Sequence, residues 1–462
     1  MDSSHMITFD SDRCIGCSKC VQVCDSQGIR VFKNGIGPRS KPVVKLGSLA
    51  NSDCVGCGQC IHECPAGAIY PYIDIEQCLT TLRDAGPIQY KKKVALLSPP
   101  VAKAVAQFYN IPNTIDPLPT TVRILRDFGF THVFSSVFGS SDMNELDAQE
   151  VIRVHDSSSG PVISARCPSV VRLVIQSYPA LIPRLMPIRS CGVMLGTVLK
   201  DSWGEGLYLS GHAKREDIYT CYIVPCTSKK DEIRRDIPDP SAVDACFTIW
   251  ELLNYLAKSS VIITPELAAE NADRLVPGRS TKRYYNLDPP FDNSKILAYI
   301  QLWEEGIGAT CMRFVAHKLK QPILAVTENK LIEFNGKVKQ FAHLYRYLLG
   351  ATEYTLLVAR GGRAVRHCLN LISTGEIICD YADLLFCPGG CKNGGGQYQP
   401  AYLRGIQDPD VIRFDPEKNF EKIVNSVKKA TLIDFIEPEN NDRTIRAHYT
   451  ASPRQCSMDI KE

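Results

Sequence analysis

Short runs of mostly apolar residues that end at turn residues are the dominant pattern along this chain. The run at residues 94–97 stops at Ser98 and Pro99, which is typical of a strand buried on both faces of a parallel sheet. Similar runs lie at residues 131–134, 219–224, 354–359 and 384–386. Segments with helical periodicity separate them, and strands that alternate with helices predict an α/β architecture.

Length and composition narrow the class of protein. At roughly 100–200 residues per domain, a chain of 462 residues corresponds to about two to four domains. With 44% hydrophobic and 22% charged residues, the chain as a whole is neither disordered nor collagen-like. A formal net charge of +3 gives no dominant field for nucleic acid or an anionic membrane. Because we find neither a secretory signal nor an apolar run of roughly 18 residues, we expect a cytoplasmic protein that binds neither membrane nor nucleic acid.

The 20 cysteines are the strongest compositional signal. In a reducing cytosol, closely spaced thiols are more often metal ligands than disulfides. Two runs near the N-terminus have the spacing of [4Fe–4S] sites in which the fourth cysteine of each run serves the other cluster. We therefore predict one cluster on Cys14, Cys17, Cys20 and Cys64, and a second on Cys54, Cys57, Cys60 and Cys24.

Zinc is the alternative for these runs. Structural zinc sites use four ligands, usually as two separated pairs, whereas each run here has four cysteines. The spacing therefore favours iron–sulfur clusters. The two repeats differ in one respect, since Asp25 follows the first run where Pro65 follows the second. The segment between the runs, with Gly35 and Gly37, predicts a hairpin.

Three further cysteine motifs stand at or near the ends of predicted strands. They are Ser164-Ala-Arg-Cys167-Pro168, Val224-Pro-Cys226-Thr-Ser-Lys229 and Phe386-Cys387-Pro-Gly-Gly-Cys391-Lys-Asn-Gly-Gly-Gly-Gln397. Proline fixes a turn and glycine lets backbone approach a bulky ligand, so each cysteine has the neighbours that a cluster pocket needs. Ligands of open α/β sheets bind outside the carboxyl ends of the strands. The four thiols of these motifs make a third four-iron cube a reasonable expectation.

In this order, behind two such runs, the motifs resemble the H-cluster signatures of [FeFe]-hydrogenases over about residues 8–400. The resemblance implies an α/β hydrogenase H-cluster domain, two lobes with parallel sheets, at residues 89–405. It also implies a small α+β ferredoxin-like domain for two [4Fe–4S] clusters at residues 1–88. A polar C-terminal segment that wraps the main domain or trails from it is expected at residues 406–462.

The resemblance also implies the cofactor and its ligands. In this family an H-cluster consists of a [4Fe–4S] cube that shares one of its four cysteines with a diiron centre bearing CO, cyanide and azadithiolate. By motif position the ligands are Cys167, Cys226, Cys387 and Cys391, with Cys391 as the bridge, and Gln397 belongs to the cofactor-binding motif.

Three other residues match family positions that contact the cyanide ligands. They are Ser98, Pro99 and Lys229. A buried anionic ligand needs donors or cations around it, and a lysine offers three donors. The implied activity is reversible oxidation of hydrogen to protons, with electrons passing through the two N-terminal clusters. The implied partners are hydrogen and protons, ferredoxin or another redox protein, and hydrogenase maturation enzymes.

The residue before Cys167 departs from the pattern of highly active relatives. They carry a proton-relay cysteine there, and this chain has Arg166. A guanidinium cannot be deprotonated in proteins, so it cannot relay a proton. Asp147 and Glu150 roughly match the carboxylates of the family's proton path and would share a helix face, although a solvated acidic face explains them equally well. This chain also departs from the pattern of active relatives at Val224, Met186 and Tyr398.

These departures predict a hydrogenase with slow turnover, or one adapted to sensing hydrogen. An alternative is a non-catalytic iron–sulfur carrier, similar to the cytosolic cluster-assembly relatives of hydrogenase, which also lack the relay cysteine. The eight complete N-terminal ligands count against it, because those relatives carry an abbreviated set. The remaining cysteines are predicted to be small buried apolar residues, with Cys191 also a candidate for a substitute proton path.

Overall fold

The computed structural model describes residues 6–37, 40–83, 90–157, 160–204, 213–235, 241–273, 287, 306–335 and 339–397. Tyr398 and the C-terminal segment expected at residues 406–462 lie outside the described residues.

Strands and helices alternate through much of the described range. The strands are β1 (Ile7–Phe9), β2 (Phe32–Lys33), β3 (Val43–Val44), β4 (Ile69–Pro71), β5 (Lys92–Leu97), β6 (His132–Ser135), β7 (Val162–Ile163), β8 (Ile218–Val224), β9 (Ala245–Thr248), β10 (Ile323–Phe334), β11 (Gln340–Leu349), β12 (Thr352–Arg360) and β13 (Tyr381–Leu385). The helices are α1 (Lys19–Ser26), α2 (Gln59–Glu63), α3 (Ile75–Leu82), α4 (Pro100–Phe108), α5 (Leu118–Asp127), α6 (Phe138–Ser157), α7 (Pro168–Ser177), α8 (Cys191–Gly204), α9 (Lys229–Arg234), α10 (Ile249–Lys258), α11 (Pro265–Asp273), α12 (Gly306–Leu319) and α13 (Gly362–Thr374). Short 3₁₀ turns lie at Pro179–Arg184, Arg215–Asp217 and Cys391–Asn393.

The N-terminal module repeats one unit, a cysteine loop followed by a helix. Helices α1 and α2 begin within the first and second cysteine runs, and the β2–β3 hairpin lies between the runs, as predicted. Strand β1 pairs antiparallel with β4. Helix α1 continues through Asp25, whereas α2 stops at Glu63. The difference follows from Pro65, because a proline disfavours helical backbone in the residue before it.

A four-stranded sheet forms the first lobe of the main domain. Its order is β6-β5-β8-β9, and every neighbouring pair is parallel. The apolar runs at residues 94–97, 131–134 and 219–224 correspond to β5, β6 and β8. Strand β8 is buried along its whole length, as expected of a strand covered on both faces.

A five-stranded sheet of order β10-β11-β12-β13-β7 forms the second lobe. Strand β13 lies parallel to both β12 and β7, and the runs at residues 354–359 and 384–386 correspond to β12 and β13. Strands β10 and β11 are antiparallel to their neighbours and were not predicted, so this sheet is mixed and not wholly parallel. Edge strand β10 has an exposed first half, with polar residues interrupting its apolar pattern.

Most of the cysteines outside the five motifs lie in the apolar cores around these sheets. Those that are fully buried are Cys78, Cys221, Cys246, Cys311, Cys368 and Cys379, which confirms the prediction of small apolar side chains. Cys191 is only partly buried, and Cys456 lies outside the described residues. Within the described part of the chain, no helix combines the length and the apolar character that a bilayer span requires.

Candidate metal centres

The first set of thiols draws on both N-terminal runs. Burial raises the pKa of the Cys20 thiol to about 12, and the nearby thiols of Cys64, Cys14 and Cys17 add to the rise. Backbone N–H groups donate to sulfur in this set, from Gly16 to Cys14 at 3.5 Å and from Ala68 to Cys64 at 3.2 Å. The structure therefore brings together the four thiols that the spacing assigns to one cluster, with Cys64 contributed by the second run.

The second set is the reciprocal one. Burial raises the pKa of the Cys60 thiol, and the thiols of Cys57, Cys54, Cys24 and Cys20 raise it further. Cys24 of the first run thus lies among the cysteines of the second run. The influence of Cys20 on Cys60 places the two sets next to each other.

The two cysteine loops share one backbone conformation. Gly16 and Gly56 precede the second cysteine of their runs with φ of 69° and 68°, and Ser18 and Gly58 follow it with φ of 58° and 72°. These left-handed conformations favour glycine, and Ser18 adopts one at some cost in conformational free energy. The match shows that the internal repeat of the sequence is also a repeat of backbone geometry.

The third set draws on strands of both sheets, at the ends where those strands stop. Cys167 and Cys387 follow the adjacent strands β7 and β13, and Cys226 follows β8 of the other sheet. Burial raises the pKa of the Cys387 thiol, and Cys226, Cys167, Cys57 and Cys391 raise it further. The four motif cysteines therefore converge, and Cys57 places the second set beside them.

Cys391 is the exposed member of the third set. Burial by the surrounding protein still raises the pKa of its thiol to about 12, and the thiols of Cys167 and Cys226 add to the rise. Among the described residues, no three His, Cys, Asp or Glu side chains lie close enough to ligate a single metal ion. The ligands of a four-iron cube surround a group of atoms, so these thiols are considered as cluster ligands.

Close backbone contact joins the second set to the third. A Cβ atom added to Gly58 would lie 2.7 Å from Cα of Gly395, and one added to Gly395 would lie 2.3 Å from Cα of Gly58. Gln59 donates from Nε2 to the Asn393 carbonyl at 2.8 Å. Gln397 is buried at the same junction, where its backbone carbonyl contacts the ring of His62. Only glycine permits this approach of the two loops.

Lys229 is buried beside the third set and is not a solvated lysine. Its Nζ donates to the Arg166 carbonyl at 3.0 Å and to Oε2 of Glu232 at 2.7 Å. Burial by itself would lower the pKa of Lys229, but Glu232 and the thiols of Cys191 and Cys226 raise it. The ammonium therefore stays charged beside the cysteines.

Ser98 and Pro99 follow β5. The carboxyl end of β5 lies beside that of its parallel neighbour β8, which precedes Cys226 and Lys229. Ser98 is buried, and its N–H donates to the Ile223 carbonyl at 3.1 Å. Its hydroxyl bonds with the phenol of Tyr222, which also lies 3.5 Å from Sγ of Cys191. Through Tyr222, the thiol of Cys191 is therefore connected to Ser98, and it lies near Lys229, whose pKa it raises.

Arg166 forms a buried ion pair with Asp147. Nη2 of Arg166 lies 2.6 Å from Oδ2 of Asp147 and donates to Oδ1 of Asn144 at 2.6 Å. The phenol of Tyr381 donates to the same Asp147 oxygen at 2.7 Å. The side chains of Arg166 and Asp147 are 8% and 1% exposed. A solvated acidic face is therefore the wrong description of Asp147.

Glu150 does not join this network. Its carboxylate pairs with Arg153 at the surface of α6, so the expected face shared by Asp147 and Glu150 divides into a buried and a solvated carboxylate. Asn144 and Tyr381 have no signal in the sequence, because neither belongs to a cysteine motif.

Two family models match the chain. The model described as "Iron only hydrogenase large subunit, C-terminal domain" matches residues 91–395, and that of a 4Fe-4S dicluster domain matches residues 13–68. Together they cover the third cysteine set and both N-terminal runs.

Curated relatives fall into two groups. Iron hydrogenase 1 of Clostridium pasteurianum is 22% identical over 400 residues, which are 86% of this chain and 65% of that protein. The cytosolic Fe-S cluster assembly factor NAR1 of Debaryomyces hansenii is 24% identical over 367 residues, 66% of this chain and 65% of that protein. The periplasmic [Fe] hydrogenase large subunit of Nitratidesulfovibrio vulgaris is 26% identical over 406 residues, 86% of this chain and 87% of that protein. The chain spans 65% of the length of the first two.

Solved structures show the same fold. An [FeFe]-hydrogenase structure from a study of oxygen inactivation matches with a TM-score of 0.58 at 19% identity, covering 82% of this chain and 94% of that chain. The apo [FeFe]-hydrogenase HydA1 from Chlamydomonas reinhardtii matches with a TM-score of 0.57 at 19% identity and the same coverage.

Proposed function

Because the chain belongs to the family of iron-only hydrogenase large subunits, we propose that it is a cytoplasmic [FeFe]-hydrogenase of slow turnover. Its fold is the H-cluster domain fold, with one parallel and one mixed sheet, preceded by a ferredoxin-like module. We assign that module to residues 1–88, the H-cluster domain to residues 89–405 and a C-terminal segment to residues 406–462. The proposed ligands of two [4Fe–4S] clusters are the eight cysteines of the N-terminal runs.

The H-cluster would be held by Cys167, Cys226, Cys387 and Cys391, with Cys391 as the bridge to the diiron centre. The described residues fit this group, since the four thiols converge and the buried ammonium of Lys229 lies beside them. When bound, the diiron centre supplies the heterolytic cleavage and formation of hydrogen. The polypeptide supplies its position, its surrounding charge and its connections for protons and electrons.

Lys229 is the observation that carries the proposal. Its ammonium is buried and charged beside Cys226 and Cys391, where an anionic ligand such as cyanide would find donors. Ser98 and Pro99 present a second polar edge at the end of β5. A buried cation at this position would offset the negative charge of a cluster and of its anionic ligands.

The cysteine sets suggest the electron route. The third set adjoins Cys57 of the second set, and the second set adjoins Cys20 of the first. Cys17 of the first set is exposed. Electrons from hydrogen would therefore leave near Cys17 to ferredoxin or another redox protein.

Slow turnover follows from the ion pair of Arg166 and Asp147. A proton carrier must gain and lose a proton near the working pH, whereas this guanidinium is fixed by Asp147 and Asn144. Protons would then move by a slower route, on which Cys191 and Tyr222 are candidates.

The decisive experiment is infrared spectroscopy of the protein after maturation, combined with an assay of hydrogen evolution. We expect bands of metal-bound CO and cyanide in the wild type and their loss in Cys391→Ser. The matched control is Cys368→Ala, which changes a cysteine buried in the apolar core. Absence of the bands in matured wild type would contradict the proposal.

A non-catalytic iron–sulfur assembly protein is the second candidate. The fixed pair of Arg166 and Asp147 favours it, because it leaves no proton carrier beside Cys167. In that case the third cube would assemble on the four cysteines without CO or cyanide bands, and hydrogen would not reduce the N-terminal clusters.

A further inference from the structure

Arg360 is a buried cation that the cysteine motifs do not account for. It ends strand β12, opposite Leu385 of β13, two residues before Cys387. The N–H of Gly361 donates to the Leu385 carbonyl at 2.9 Å, so strand pairing fixes the backbone at this point. The Arg360 side chain is completely buried.

The guanidinium of Arg360 is only partly satisfied. Nη2 pairs with Oδ2 of Asp383 at 2.7 Å, and Nη1 donates to the carbonyls of Ala359 and Asp383 at 3.0 and 2.7 Å. Its Nε–H is buried and has no acceptor within the ranges that the structure describes. A buried donor without a partner is costly. Oδ1 of Asp383 also has no partner among the described residues, so one buried donor and one buried acceptor are open at this site.

The third cysteine set lies next to this donor. A Cβ atom added to Gly390 would lie 3.9 Å from Cδ of Arg360, and Gly390 directly precedes Cys391. Arg360 therefore lies beside the loop that carries two of the proposed cube ligands, Cys387 and Cys391.

We propose that Arg360 is a positioning residue for the third [4Fe–4S] cube, donating from Nε–H to one of its sulfur atoms and raising its reduction potential. This inference rests on the proposed function, since it requires that cube. Reduction adds one negative charge to a cluster, and hydrogen bonds to sulfur together with the surrounding charge set its potential. A fixed cation beside the sulfurs stabilises the reduced form.

The test uses the full chain reconstituted with iron and sulfide but not with the diiron centre. Redox titration followed by electron paramagnetic resonance gives the midpoint potentials, and the signal missing in Cys387→Ser identifies the third cube. Arg360→Lys keeps the charge and loses the Nε–H. Arg360→Gln combined with Asp383→Asn removes the pair without leaving a buried carboxylate unpaired. The control, Lys200→Gln with Asp244→Asn, removes an ion pair of the other lobe.

We expect the third-cube potential to fall in both Arg360 variants and to stay at the wild-type value in the control. Unchanged potentials in both variants, with all three clusters present, would overturn the inference. The proposed function is tested separately by the iron content of the wild type. We expect about twelve iron atoms, at four per cluster, and about eight would contradict the proposed function.

Discussion

Nη2 of Arg166 lies 2.6 Å from Oδ2 of Asp147, in the protein interior directly before Cys167. Each charge compensates the other, and Asn144 and Tyr381 complete the hydrogen bonds. A position that could exchange protons is thus occupied by a buried ion pair, and removing one of its charges would leave the other uncompensated. Stability and proton transfer should therefore respond in opposite directions to changes at this pair.

Arg166→Cys should lower the free energy of unfolding by about 3–5 kcal/mol, because it leaves the Asp147 carboxylate buried without a counter-charge. Adding Asp147→Asn should recover most of this loss. Urea unfolding of the full chain, followed by circular dichroism, measures both. Arg153→Ala is the control, since its pair with Glu150 is exposed and should change stability by less than about 1 kcal/mol. Equal losses in Arg166→Cys and Arg153→Ala would contradict the role of burial.

The same Arg166→Cys change should increase hydrogen evolution by about a hundredfold in protein loaded with the diiron centre, since a positioned proton carrier contributes at least that much. A thiol beside Asp147 can exchange protons, whereas Arg166→Lys keeps a cation paired with the carboxylate and should remain slow. Initial rates with a chemical reductant provide the comparison. If wild type is already fast and Arg166→Cys slows it, the explanation of slow turnover is wrong.

Because Cys24 and Cys64 are each assigned to the cluster of the other run, Cys24→Ser and Cys64→Ser should have different effects. Each should lose about four iron atoms, one cluster's content. Under hydrogen, Cys64→Ser should still reduce its remaining N-terminal cluster, because the cluster beside the third set is intact. Cys24→Ser should not, because it loses that intermediate cluster. Electron paramagnetic resonance of hydrogen-treated samples distinguishes them. The reverse pattern would mean that each run keeps its own four ligands.

Gly58→Ala should impair the contact between module and main domain. Gly58 and Gly375 have nearly the same φ, 72° and 73°, but a Cβ on Gly375 meets nothing within 4 Å. Gly375→Ala should therefore cost only the left-handed strain, about 1–2 kcal/mol. Gly58→Ala should cost more and slow reduction of the N-terminal clusters by hydrogen, because the Gly395 loop must move. Unfolding curves and stopped-flow absorbance test this, and identical behaviour of both variants would exclude a special role for the junction.

Local patterns in the sequence predicted those features whose cause is local. Strand β8 is buried along its whole length, β5 along nearly all of it and β12 along its second half, and each shows this burial as a mostly apolar run. The β2–β3 hairpin follows from its glycines. Strand β10 escaped prediction because an edge strand needs no continuous apolar run, and β11 depends on its pairing with β10 and β12.

The candidate site was predictable where residues belong to a motif and hidden where they do not. Tyr381 contacts Asp147 across 234 residues of sequence, and Arg360 meets Asp383 only because β12 and β13 are neighbours. No spacing rule connects such pairs. The partners of Arg166 in particular show that it is one half of a buried ion pair, and not only the replacement for a proton-relay cysteine.

In the proposed ligand assignment, the exchange of Cys24 and Cys64 makes the two halves of the N-terminal module mutually dependent. A fragment holding either run by itself would supply three ligands to one cluster and leave its fourth cysteine unused. Damage to one loop would therefore reach both centres.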